Sequence, residues 1–136
     1  MNRPEVEIFI PREVGPRTWG HEILIAQTPT YIGKILIMKA GSAGNLQYHV
    51  EKDETFFLYS GTCLVDSVKD GQLVRVEMHE GYSYHIPPGA PHRVTAVTDC
   101  VFFEVSTPHF DDRVRCEAEY GEPEVDGLPT TILDVE

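Results

Sequence analysis

The chain has 136 residues, 41% of them hydrophobic, and 11 Lys and Arg stand against 22 Asp and Glu for a formal charge of −11. That length suits one core, so a single domain over residues 1–136 is expected, and the negative field argues against nucleic acid or anionic membrane as partners. No run approaches the roughly 18 apolar residues of a spanning helix and MNRPEVEIFIPRE has no long apolar stretch of a secretion signal, so the expected location is the cytoplasm.

In chain order, Pro4, Pro11 and Pro16 each fix φ and remove a backbone donor, which favours an extended arm or edge strand over helix; EVEIFI at 5–10 is the segment that reads as strand. Between Glu22 and Thr107 follow short β-type runs, HEILIAQ, YIGKILIMKA, LQYHV, TFFLYSG, TCLVDSV, QLVRVEM, YSYHI, HRVTAV and CVFFEVS. Turn residues bound them at Thr28-Pro29, Gly41-Ser42, Lys69-Asp70-Gly71, Glu80-Gly81 and Pro87-Pro88-Gly89. This rhythm predicts an all-β antiparallel barrel or sandwich with its core over about 22–107, and Asp70-Gly71 is the sharpest hairpin signal. After Pro108 the chain turns charged, which supports a short helix or a wrapping tail, and TTILDVE reads as a return to strand.

Three cysteines, Cys63, Cys100 and Cys116, lie far apart without paired spacing, so neither a disulfide framework nor a thiolate zinc site is expected. The alternation around Cys63 and Cys100 makes them core fillers, whereas the charged surroundings of Cys116 predict exposure.

Two blocks carry chemistry: Gly41-x5-Gln47-x-His49-x4-Glu54-x6-Gly61 and Gly81-x5-Pro87-x-Gly89-x2-His92. On a strand, residues two apart share a face, so Gln47 and His49 point together while Tyr48 points away. Glu54 shares a face with Phe56 and Leu58, where an anion is costly unless a cation sits beside it. The proline-rich turn aims His92 inward together with Val94 and Ala96, leaving Arg93 outward and structural. Two imidazoles, an amide oxygen and a carboxylate suit one divalent ion such as zinc, manganese, iron, nickel or cobalt, with Gln47, His49, Glu54 and His92 as the ligands.

The spacing resembles that of the two cupin motifs, with Gly41, His49, Glu54, Gly61, Gly81, Pro87, Gly89 and His92 at signature positions. It departs from the pattern at Gln47, where a histidine is usual, and at Ala96. The resemblance implies a small double-stranded β-helix, or jelly-roll, barrel with an extended N-terminal arm. Within cupins the chain is similar to the mannose-6-phosphate isomerase domain at the end of bifunctional sugar-nucleotide enzymes. That similarity rests on Pro16 to Gly20, Lys34 to Gly41, Leu46 to Glu54, Ile86-Pro87, His92-Arg93, Asp111-Asp112, Val114 to Glu117 and Tyr120-Gly121. It implies metal at Gln47, His49, Glu54 and His92 and brings in Arg115 as an anion or hydroxyl contact. Against that family, Glu122 stands where arginine is expected and Lys52 replaces an arginine ahead of the motif glutamate.

The function expected is a metal-dependent isomerase or epimerase of a sugar, sugar phosphate or similar hydroxy-carbonyl compound bound in the barrel. A cupin dioxygenase or lyase and a sugar-binding barrel without catalysis are the alternatives. His85, Lys52, Glu117 or a tyrosine is the expected proton shuttle. Lys52 is otherwise expected in solvent, His21, His79 and His109 in loops or edges, and Trp19 packing the arm onto the barrel. Apolar runs at Phe56-Phe57 and Val101 to Phe103 exceed what one interior can take, which predicts a homodimer.

Overall fold

The computed structural model describes residues 2–110 and 112–123, so TTILDVE lies outside the described residues. Its strands are β1 (Arg12–Val14), β2 (Gly20–Gln27), β3 (Ile32–Met38), β4 (Gln47–His49), β5 (Glu54–Ser60), β6 (Cys63–Lys69), β7 (Gln72–Met78), β8 (Ser83–Ile86), β9 (His92–Ala96), β10 (Cys100–Ser106) and β11 (Arg113–Arg115). A short 3₁₀ helix, Glu117–Tyr120, follows and ends at Gly121, whose φ of 68° closes it. No helix among the described residues is long and apolar enough to cross a membrane.

The chain doubles back at Asp70-Gly71, where both residues take positive φ, 51° and 76°, the twist a two-residue hairpin requires. From that tip the strands pair outward in nested fashion: β6 with β7, β5 with β8, β4 with β9 and β3 with β10. The doubled ribbon then wraps into two antiparallel sheets, ordered β1-β2-β3-β10-β5-β8 and β11-β4-β9-β6-β7. This is a small jelly roll. Its core lies between the sheets, where Trp19, Met38, Phe56, Leu58, Val65 and Phe102 are all buried, and each such side chain contributes about 1.5–3 kcal/mol by leaving water.

Strict alternation sorts the six-stranded sheet. Phe56 and Leu58 on β5, and Phe102 and Glu104 on β10, face inward and are buried, while Phe57, Tyr59, Phe103 and Val105 face outward. Gly61 ends β5 with φ of 103°, and a Cβ there would stand 2.3 Å from Asp99 O, so no larger residue fits the turn.

Three expectations need correction. Residues 5–10 form no strand: Val6, Ile8 and Ile10 are 98%, 90% and 79% exposed, and sheet pairing begins only at Arg12 against Leu24, just past Pro11, which has no N–H to give. Cys116 is buried, not exposed, because its N–H bonds Leu46 O at 3.0 Å and draws it onto β4; its thiol is pushed up to about 11, by burial first and by Glu119 and Glu117 next. Trp19 is part of the central core rather than an arm-to-barrel contact.

Candidate metal centre

Nested pairing is what brings the two motif blocks together. Gln47 lies opposite His92 across β4 and β9, and Gln47 and His49 share the buried face of their strand. The proline turn is stitched to that strand by the Gly89 N–H, which donates to His49 O at 2.7 Å with φ of 84° at Gly89. The loop that hands Glu54 to β5 is held by Asp112: Oδ2 accepts the N–H groups of Glu51 and Lys52 at 2.7 and 2.9 Å. Asp112 Oδ1 also stands 3.1 Å from His49 Nδ1.

The two imidazoles are oriented alike. His49 Nδ1 is engaged by Asp112 and His92 Nδ1 by Ala90 O at 3.0 Å, so each Nδ1–H donates outward and each Nε2 lone pair points into the barrel. This is the arrangement by which an outer acceptor fixes a metal-binding tautomer. Glu54 Oε2 lies 3.0 Å from His49 Nε2 and 3.6 Å from His92 Nε2, yet it is buried and makes no hydrogen bond with any described residue. Nitrogen and oxygen face a common point rather than each other. Two atoms each about 2.1 Å from one ion stand roughly 3.0–3.5 Å apart at octahedral to tetrahedral angles; the first separation falls in that range and the second just beyond it. His49, Glu54 and His92 form a group that could hold a metal ion, with ligand atoms within 4.8 Å of one another. Gln47, on the same face, lines the same cavity.

Electrostatics fit that role. Burial would raise the Glu54 carboxyl, but Lys52, then His49 and His92, hold it well below the usual carboxylate range. Burial lowers His92, only partly offset by Glu54, and a neutral imidazole is the form a metal takes.

The floor of the cavity is a buried charge network. Lys52 Nζ lies 3.1 Å from Glu104 Oε2 and 3.9 Å from Glu54 Oε1. Glu22 accepts from Arg17 Nε and Nη2 at 3.2 Å each and pairs with Lys34 Nζ at 3.0 Å. Burial would strip the Lys52 proton, but Glu104 and Glu54 outweigh it and raise the ammonium above its usual value.

Of the residues expected to act besides the ligands, His85, Lys52, Arg115 and Glu117 do not line the cavity. His85 faces outward, opposite Thr55; its ring is 59% exposed and bonds Asp53 Oδ1 at 2.6 Å, so it does not reach the cavity. Lys52 is 1% exposed and held protonated, a fixed cation rather than a solvated lysine or a proton shuttle. Arg115 grips Glu117 through Nε and Nη2 at 3.2 and 2.7 Å, and neither lines the cavity. Arg93 is buried rather than solvated, binding Asp66 at 2.9 Å and Glu122 at 2.6 Å. Sequence reading gave no role to Asp112, Glu22, Glu104 or Lys34. The signal for the last three was a charge at an inward position of an apolar alternation, Glu22 beside Leu24 and Glu104 beside Phe102.

The cavity holds about 80 Å³, lined by Trp19, Glu22, Asn45, Glu104, apolar side chains and the candidate ligands. At ~10–15 Å³ per water centre that is roughly half a dozen waters, the space of a small organic ligand.

A jelly roll with a histidine-carboxylate group facing an interior cavity defines a class of metal-binding barrels. The chain belongs to the cupin domain family, whose sequence profile matches residues 34–109. No curated protein matches it in sequence. Similar solved structures include the capsular polysaccharide assembling protein CapF from Staphylococcus aureus, 20% identical with a TM-score of 0.67, covering 79% of this chain and 34% of CapF. Another is KdgF from Halomonas sp., 19% identical with a TM-score of 0.62, covering 74% of this chain and 91% of KdgF. Oxalate decarboxylase from Bacillus subtilis is 17% identical with a TM-score of 0.62, covering 76% and 30%. The chain thus spans about a third of CapF, and at these identities the likeness is one of fold.

Proposed function

We propose that this cupin is a metal-dependent isomerase or epimerase of a sugar or similar hydroxy-carbonyl compound. The observation that carries the reading is the convergence of His49 Nε2, His92 Nε2 and the hydrogen-bond-free Glu54 Oε2 at the wall of the barrel cavity. These three, with the Gln47 amide oxygen as a fourth, would hold the ion. A divalent ion supplies Lewis-acid polarisation of adjacent carbonyl and hydroxyl oxygens without changing oxidation state.

The chain's own groups do the rest. Asp112 and Ala90 O keep the imidazoles turned. Trp19, Leu36, Phe56 and Phe102 line the cavity with apolar surface, which strengthens charge interactions beside it. Lys52 keeps Glu54 ionised. The proton that isomerisation must move falls to a carboxylate of the wall, Glu22 or Glu104. The similarity to the mannose-6-phosphate isomerase domain and the fold shared with a polysaccharide-assembling protein support a carbohydrate substrate.

The test is deuterium exchange. Zinc- or manganese-loaded protein incubated in D₂O with a panel of aldoses and ketoses should incorporate solvent deuterium beside the carbonyl, equally with and without oxygen. Exchange absent across the panel, or turnover that consumes oxygen, overturns the reading; binding without exchange marks a sugar-binding barrel.

We also propose that the protein is a homodimer, seated on the outer face of the six-stranded sheet. Support comes from the line Ile23, Ile35, Phe103 and Phe57, adjacent across four strands. Phe57 and Phe103 stack at 6.2 Å, with Tyr59 at 5.3 Å from Phe103, and the apolar arm residues Val6, Ile8 and Ile10 are exposed as well.

A further inference from the structure

Two polar groups on the cavity wall are left unmatched by the protein. Glu104 has a side chain 7% exposed, and its Oε2 is held by Lys52 at 3.1 Å. Its Oε1 enters no hydrogen bond with a described residue and, unlike the sealed-off polar atoms of the core, keeps solvent access on the cavity that Glu104 lines. The indole N–H of Trp19 is buried on the same wall and has no acceptor among the described residues. A carboxylate oxygen open to a cavity takes a donor from whatever fills it, and a buried N–H demands an acceptor. A hydroxyl group meets both demands, and O–H to carboxylate is among the stronger hydrogen bonds. A ligand carboxylate or phosphate meets only the second and sets like charge against Glu104.

The cations around the cavity are engaged. Arg93, the one cation lining it, is held by Asp66 and Glu122. Lys52 is held by Glu104, and Lys34 and Arg17 by Glu22. Apart from the proposed metal ion, an anionic group on the ligand would find a cation only by breaking a buried pair. Glu122 occupies Arg93 at 2.6 Å.

We infer that the cavity selects an uncharged, hydroxyl-rich ligand over its phosphorylated or carboxylated counterparts, and that Glu104 sets this preference by accepting a ligand hydroxyl at Oε1. The inference rests on the proposed metal-site reading and narrows its substrate class. The contact with the ligand hydroxyl is the one from which Glu104 could also take a proton, and Lys52 is the residue that positions it.

The test uses the full chain, zinc-loaded and checked for metal content, titrated by ligand-observed NMR with fructose, fructose 6-phosphate and gluconate. Wild type should bind fructose at least ten-fold more tightly than the other two. E104Q should weaken fructose about ten-fold and shrink the preference below three-fold, with metal content unchanged. Equal or tighter binding of the phosphate or the acid by wild type, binding of none of the three, or an unaltered preference in folded E104Q overturns it; the wild-type comparison decides alone where E104Q does not fold. Metal-loaded protein without the preference defeats this inference only, whereas wild type that takes up no metal defeats the functional proposal as well.

Discussion

The inner and outer faces of the six-stranded sheet invert the usual assignment of polarity. Inside, on strands whose neighbours are Leu24, Phe56 and Phe102, sit Glu22, Lys34, Glu104 and the nearby Lys52, all buried. Outside, Tyr59, Phe103 and Val105 are 61%, 37% and 62% exposed. Buried charges and exposed aromatics are each uncommon alone; on opposite faces of the same strands they have separate causes. The inner charges surround a cavity that needs fixed polarity, and the outer apolar line is one that a second copy would cover. Departures from ordinary local rules concentrate where a protein does something.

The comparison can be broken in three places, from the largest effect to the smallest. Replacing His49 and His92 with alanine should abolish stoichiometric metal uptake, measured by elemental analysis, while the far-ultraviolet circular dichroism of the barrel persists; unchanged stoichiometry would end the metal assignment. Lys52→Met should cost about 3–5 kcal/mol in urea unfolding, because it leaves Glu104 and Glu54 buried without their shared cation. A loss below about 1 kcal/mol would mean that the inner charges are solvated after all. Phe103→Lys on the outer face should leave stability within about 1 kcal/mol yet halve the mass seen by light scattering, and a wild-type chain already monomeric at micromolar concentration would remove the proposed reason for the outer aromatics.

Much of the fold was legible because its signals are local. Period-two alternation, the Asp70-Gly71 tip and the turn glycines depend only on neighbouring residues, and they located the strands and put Gln47, His49, Glu54 and His92 on inward positions. The misplaced residues depend on partners far away in sequence. Lys52 sits in a charged turn, and its burial is decided by Glu104, 52 residues further on. His85 could not be assigned a side without the β5–β8 register, which pairs it with outward Thr55. Cys116 looked exposed from its charged neighbours, but a backbone bond to Leu46 buries it. Alternation also promised a strand at 5–10, which pairs with no strand among the described residues; a pattern gives a propensity, and pairing needs a partner.

The folded-ribbon topology has a consequence for how the site arises and how it tolerates change. Gln47 and His92 face each other at the far end of the ribbon from Asp70-Gly71, so the candidate ion pocket depends on a contact between residues 45 positions apart. Such distant closure is slow relative to local hairpins, which makes metal capture a reporter that the barrel has finished closing. Extra residues at the hairpin tip leave this alignment alone, whereas one inserted into a single arm slides every rung beyond it and parts the histidines.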